Sequence, residues 1–381
     1  MSIEARFRRI TGGGVFIPQI DGLRFVAIAS VVAFHLYAQL VRYNGVAAGG
    51  FTGFGLRHGD RGVSLFFVIS GFILGVPFAS RWLTNAPPVK LGKYFFRRLT
   101  RLEPPYILNL LLCFLLLVSV NHVNFRSLVP HLLASIAYGH NFIYGTPSTV
   151  NPVAWSLEVE VQFYCLVPLL ALIFAVRSKN LRRGLMVTAM LAIGLAQHRW
   201  MNSEAGSGRF TIAYYLQFFI AGFVLADIYL TEAGTVHWIW DWVSLAGWPL
   251  VFLLDSPSFY RVGMPFVVIA LYLAAFRGRM TSRVFRWPSL TIVGGMCYTI
   301  YLLHFTVIAA LARFVPHRGG IEIVMLFIPV AILAILLSGA VYYLAIERPC
   351  MDKHWPTQLA SAVVRTTSSF SERWHLRKVA F

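Results

Sequence analysis

Ten apolar runs follow one another along this chain with little between them, at 20–40, 62–80, 104–120, 153–176, 184–201, 210–230, 238–254, 262–276, 289–312 and 321–346. Each approaches the ~20 residues a helix needs to cross a bilayer. Hydrocarbon offers no partner to a backbone N–H or C=O, and a helix satisfies both internally, so the runs read as transmembrane helices. Composition agrees. The chain has 381 residues, of which 57% are hydrophobic and 13% charged, whereas a soluble domain carries about 25% charged residues. No segment outside the runs is long enough for a soluble catalytic domain, so any active site is intramembrane or interfacial. The expected fold is an all-α membrane protein, with a membrane domain over 1–346 and a cytoplasmic tail over 347–381.

The charges orient the helices. With the N-terminus inside, 23 of the 33 Lys and Arg fall on the cytoplasmic side and 8 on the other, with Arg24 and Arg199 inside spans. That bias follows the positive-inside rule and places both termini in the cytoplasm. A further stretch, 128–144, contains Pro130, His131, His140 and Asn141 and reads as a re-entrant or interfacial helix. Letting it cross would put Arg177, Lys179, Arg182 and Arg183 outside, against the same rule. The net charge of +18 is thus a topology signal and does not point to nucleic acid. The first run lacks a small-residue cleavage site and is expected to stay as a signal anchor. Cys113, Cys165, Cys297 and Cys350 are scattered and match no metal or disulfide spacing, so no metal is expected.

Arg24 and His35 stand eleven residues apart in the first run. Eleven steps make about three helical turns, so both share a face, ~16 Å apart along the axis. Ionisable groups at such depths usually face a polar cavity. In the assigned orientation His35, Ser70, Glu160 and His304 reach a similar depth in the outer half. Ser156, Glu160 and Tyr164 fall at i, i+4 and i+8 on one face, whereas Glu158 shares a different face with Gln162. Glu160 is the better candidate for orienting a histidine, and Glu158 is expected to be protonated or bonded to Gln162. On the cytoplasmic side Arg97, Arg98 and Arg101 precede the third run, Arg97 and Arg101 sharing a face. Arginine suits bidentate phosphate binding. The Arg24–His35 separation is comparable with an extended pantetheine arm. Phosphates at the arginines and a thioester at His35 would make one site.

These residues resemble the acyltransferase 3 family of membrane proteins, which includes O-acetyltransferases of bacterial surface polysaccharides and Nod factors. Ile20-Asp-Gly-Leu-Arg24 with His35, Gly62-Val-Ser-Leu-Phe-Phe-Val-Ile-Ser70-Gly-Phe, Arg97-Arg-Leu-Thr-Arg101-Leu-Glu-Pro, Trp155-Ser-Leu-Glu-Val-Glu160, Tyr298-Thr-Ile-Tyr-Leu-Leu-His304 and Glu347-Arg-Pro occur in the family's order. Many members carry Ser-Val-Glu-Glu where this chain has Glu158-Val-Glu160-Val161, so Glu160 matches the common glutamate. Many also carry a fused C-terminal hydrolase-like domain. None is evident here, and the resemblance then implies direct transfer to a lipid-linked or diffusible acceptor, or a separate partner protein.

The resemblance implies a transferase of the bacterial inner membrane that moves an acyl group, expected to be acetyl, from cytosolic acyl-CoA to a hydroxyl of a carbohydrate or lipid-linked sugar. His35 serves as general base or brief acyl carrier, with Glu160 orienting it. Arg24, Arg97, Arg98 and Arg101 hold the donor phosphates, and Ser70, Trp155, Tyr301 and His304 line the acceptor side. Membrane lipids are the other expected partners. The rival reading is a polytopic transporter, which predicts repeated halves with broken helices in corresponding positions. Neither is apparent, and a transporter gives no reason for an arginine cluster on one side.

Overall fold

The computed structural model describes residues 7, 9–10, 16–44, 56–200, 207–315, 321–352 and 355–356, and these are mostly helical with no strand among them. Most of the 347–381 tail lies outside the described residues. The principal helices are α1 (Pro18–Asn44), α2 (Gly62–Leu83), α3 (Leu91–Ser119), α4 (Phe125–Ile136), α5 (His140–Tyr144), α6 (Trp155–Leu170), α7 (Lys179–Trp200), α8 (Ile212–Thr231), α9 (Ile239–Leu253), α10 (Met264–Arg277), α11 (Thr281–Phe285), α12 (Pro288–Gly295), α13 (Cys297–Ala312) and α14 (Ile321–Tyr342). Among the described residues seven helices are long and apolar enough to cross a membrane: α1, α2, α3, α6, α8, α10 and α14, some with short extensions. The pair α12 and α13 makes an eighth if it is one span, but it bends by 71°. The sequence reads a single span there; the bend falls after Gly294 and Gly295, where no side chain stiffens the turn. α7 is too polar to count among the seven and α9 too short.

The 128–144 stretch is broken. α4 has 12 residues and α5 has 5, so neither covers the ~30 Å of a hydrocarbon core at 1.5 Å per residue.

The centre of the bundle is the contact of α2 with α8, made backbone to backbone. A Cβ on Gly222 would lie 2.4 Å from Phe72 N and Val68 O, and one on Gly71 would lie 2.2 Å from Phe219 O. Around this seam Phe163 of α6 stacks on Phe219 at 3.9 Å, and Phe67 lies 4.7 Å from the same ring. Small residues at such a seam let dispersion act over a long, close contact, which is what holds helices together in lipid. α1 is held equally closely: a Cβ on Gly294 of α12 would meet Asp21 O at 1.7 Å.

α3 begins well before the apolar run at 104–120. The basic stretch is its first turns, and Pro104 and Pro105 lie inside the helix. Pro104 has no N–H for the carbonyl of Thr100, and Trp355 Nε1 donates to that oxygen instead, at 3.1 Å. Nearby, Tyr298 donates to Leu102 O at 3.0 Å and ties α13 to α3.

Polar contacts gather the helix ends into two sets. At one end Asp227 of α8 accepts from Arg182 and, at 2.6 Å, from Arg183 of α7, while Glu232 binds Lys179 at 2.9 Å and Arg183 at 2.6 Å. Asp241 of α9 accepts from the Met280 and Thr281 backbone at 3.0 and 2.8 Å. At the other end His58 meets Asp255 at 3.1 Å, and Arg61 donates to Val251 O and Leu254 O at 2.6 and 3.0 Å. α7 and α9 therefore run between the same two ends as their longer neighbours.

Candidate functional site

Among the described residues, two neighbouring cavities between the helices bring most of the sequence-predicted site residues together. The first encloses about 810 Å³, part of it open to solvent, and is lined by Arg9, Arg24, Arg98 and Arg101 together with Ser70, Glu160, Tyr164 and Tyr298. The second encloses about 1240 Å³, also partly open, and is lined by His35, Trp155, Arg61, Arg209 and Tyr260 among others. Val63 and Tyr301 line both and form the wall between them.

α1 supplies Arg24 to the first cavity. The close approach of Gly294 buries the start of this helix, and Arg24 donates to Asp21 one turn earlier. A buried cation needs such a counter-charge. Arg98 and Arg101 come from the first turns of α3, spaced i, i+3. The Arg98 guanidinium lies 5.4 Å over the Tyr164 ring and 5.9 Å over Tyr94, contacts that fix its plane. Nε of Arg101 is buried with no hydrogen-bond partner among the described residues, an N–H suited to an anionic ligand. Arg97 does not line the cavity; the face of α3 that does carries Arg98 and Arg101 instead. Arg9, which joins them, carries no motif and counts in the sequence only toward the positive-inside bias. The fit to phosphate is thus chemical: four guanidinium groups, one with an unused donor.

Deeper in the same cavity Ser70 of α2 donates to Glu160 of α6 at 2.6 Å. Ser156 and Tyr301 are 2.7 Å apart, and the Tyr301 hydroxyl donates to Val153 O at 3.0 Å. This pins the tyrosine in the dividing wall. Glu160 therefore does not sit beside His35, as the sequence suggested, but is engaged by serine on the other side of that wall. Glu158 is not bonded to Gln162 either. It accepts from Asn141 N at 2.8 Å and so ties α5 to α6, while Gln162 accepts from Ile212 N at 2.9 Å.

The neighbour of His35 is His304, Nδ1 to Nε2 at 3.2 Å. The backbone fixes how their protons are arranged. His304 Nδ1 faces two carbonyls, Tyr301 O at 2.8 Å and Ile300 O at 3.1 Å, so it carries a proton and donates. His304 Nε2 is then an acceptor in the neutral ring. His35 Nδ1 faces that acceptor and also Val31 O at 3.0 Å, so it too must donate. The remaining nitrogen, His35 Nε2, is left with a lone pair and no protein partner among the described residues. His35 is half-buried and lines the second cavity. A neutral imidazole held in one tautomer with its free nitrogen on a cavity is suited to take a proton or to attack a carbonyl. The rings of Phe34 and Phe305 meet His35 edge-on at 5.1 and 5.4 Å.

Of the residues expected on an acceptor side, Trp155 and Tyr301 line the second cavity, Ser70 lines the first, and His304 is wholly buried behind His35. The second cavity also holds Arg57, Asp60, Arg61 and Asp255, which sequence reasoning treats only as loop charges. Arg57, Asp60 and Arg61 stand together just before α2 and Asp255 just after α9, and only the contact between those helix ends brings the two stretches together.

The model of the acyltransferase 3 family, an acyltransferase domain, matches residues 17–343. Among relatives, the peptidoglycan O-acetyltransferase OatA of Listeria monocytogenes is 27% identical over 333 residues, covering 77% of this chain and 49% of that one. A putative O-acetyltransferase of Staphylococcus aureus is 25% identical, covering 88% and 57%, and the O-acetyltransferase OatA of the same species is 23% identical, covering 89% and 58%. The chain thus spans about half the length of the relatives it matches. No solved structure matches it.

Proposed function

The chain belongs to the acyltransferase 3 family, and from that premise we propose that it transfers an acyl group, acetyl in the simplest case, from acyl-CoA to a hydroxyl of a carbohydrate or lipid-linked sugar. One observation carries the reading. The arginine cavity and the histidine cavity meet at Tyr301 and Val63, so donor and acceptor have separate entrances to a common wall. The chain crosses the bacterial inner membrane ten times with both termini in the cytoplasm, counting α7 and α9 as spans. The arginine cavity then opens to the cytosol, where acyl-CoA is made, and the histidine cavity opens to the far side.

In this mechanism Arg9, Arg24, Arg98 and Arg101 hold the phosphates of the donor, and its pantetheine arm runs past Ser70 and Glu160 to the wall. The acceptor hydroxyl lies against His35 Nε2. As its oxygen attacks the thioester carbonyl, its proton moves to His35. The new C–O bond forms, the C–S bond breaks, and the CoA thiolate recovers a proton from the imidazolium. His304 holds His35 in the tautomer that leaves Nε2 free. Glu160 and Ser70 act on the donor arm rather than on the base. Such a base contributes about 10²–10⁴-fold in rate.

The test is incorporation of labelled acetyl from acetyl-CoA by membranes carrying His35→Ala, inserted to the wild-type level. Loss of at least a hundredfold is expected, and near-normal incorporation overturns the assignment. Mass spectrometry of glycans and glycolipids from cells with and without the protein identifies both acyl group and acceptor.

A further inference from the structure

We propose that the histidine cavity selects an acidic glycan, one whose sugar carries a carboxylate or a phosphate bound at Arg61. The proposal rests on this cavity being the acceptor side.

Arg61 stands just before α2 and is only 5% exposed, yet it lines the cavity. Both of its hydrogen bonds use Nη1, and both go to neutral carbonyls, those of Val251 and Leu254. Its guanidinium lies 5.8 Å from the Tyr260 ring centroid, a further uncharged neighbour. No carboxylate forms an ion pair with it among the described residues; Asp255 pairs with His58 instead, at 3.1 Å. Keeping a guanidinium away from water without a direct counter-ion is expensive. Nη2 and Nε remain as parallel donors without a protein acceptor among the described residues, the fork that grips a carboxylate or phosphate bidentately.

The surroundings favour the same ligand. Arg57 and Arg209 line the cavity as exposed cations, so an anion entering it meets positive charge first. Counting Arg261, four arginines face two aspartates, Asp60 and Asp255. Trp155 and Phe210 stand with ring centroids 5.5 Å apart, and Trp155 and Tyr215 with centroids 5.4 Å apart. Aromatic faces of this kind stack on the C–H face of a pyranose ring. A neutral sugar would use the aromatic wall and leave the Arg61 fork unmatched, and an unmatched buried donor is what makes a polar site reject the analogue that lacks its partner.

The experiment measures binding without acyl-CoA, so it can fail while acyl transfer stands, and the reverse. The full chain in nanodiscs is titrated with methyl glucuronide, methyl glucoside 6-phosphate and methyl glucoside, and binding is read by saturation-transfer difference NMR. At least one acidic glycoside should bind about tenfold or more tightly than the neutral one, and the stronger of the two names the anion. Arg61→Gln should abolish the preference. Arg209→Gln, on the exposed rim, should weaken it without threatening the fold, and Arg101→Gln in the other cavity should retain it. Equal binding of all three probes, or binding of none, overturns the proposal. So does a preference that survives in Arg209→Gln and folded Arg61→Gln, or one that disappears in Arg101→Gln.

Discussion

Replacing His304 by leucine removes the acceptor that helps to hold His35 in one tautomer while leaving every cavity-lining residue in place. His304 is fully buried, and leucine fills most of its volume. The Tyr301 and Ile300 carbonyls that lose its Nδ1–H belong to a helix and keep their backbone partners. His35 Nδ1 retains one of its two acceptors, Val31 O at 3.0 Å, and loses the other, His304 Nε2 at 3.2 Å. A single such hydrogen bond is worth about 0.5–1.5 kcal/mol net. If all of it bears on the productive tautomer, the rate falls by about 2- to 13-fold, since 1.36 kcal/mol is tenfold. This lies well short of the loss expected for His35→Ala. The assay is the initial rate of labelled acetyl incorporation in membrane vesicles, normalised to folded protein by fluorescence-detected gel filtration. A loss as deep as that of His35→Ala would contradict a positioning role, because His304 would then carry the proton or the acyl group itself. An unchanged rate would refute it in the other direction.

Arg101→Gln removes a guanidinium with a free buried N–H; it should raise KM for acyl-CoA by about 10- to 100-fold, the worth of a hydrogen bond to a charged group, with little change in kcat, as steady-state kinetics will show. Gly294→Ala would place a Cβ 1.7 Å from Asp21 O, whereas Gly184 has nothing within 4 Å of its Cβ position. The first substitution should cost about 1–3 kcal/mol or more, and the second should leave the detergent-solubilised melting temperature unlowered. The Glu232 carboxyl is held down to about 2 by its bonds to Arg183 and Lys179. Its stabilisation is therefore present above its ordinary value of 4.5 and lost as pH falls through about 2. Melting temperature should fall more steeply over that range in the wild type than in Glu232→Gln, and the difference should shrink in high salt because the group is partly exposed.

The helical class was legible because hydrocarbon leaves a long apolar run few other ways to satisfy its backbone. The depth of His35 and His304 followed from the same reasoning, since helix rise and charge bias place residues along the membrane normal. Azimuth did not follow. Whether Glu160 faces His35 or Ser70 depends on how α6 is rotated against α2, and that is set by contacts such as Phe163 on Phe219. The same limit explains Arg97: a two-residue face rule on one helix does not say which face meets a cavity formed by several. The α12–α13 bend escaped because its residues are as apolar as a continuous span. The charged lining of the histidine cavity was hidden because Arg61, Arg209 and Asp255 lie far apart in sequence and converge only when α2, α8 and α9 share an end.

In the proposed mechanism donor and acceptor enter from opposite faces and meet at Tyr301. Proteoliposomes of defined orientation separate the two entrances, with labelled acetyl-CoA supplied on one face and an acceptor glycan sealed on the other. Acetylated product is expected only when acetyl-CoA is on the face of Arg98 and Arg101 and the acceptor is on the face of Arg61 and Trp155. Product formed with both substrates confined to one face would contradict that mechanism.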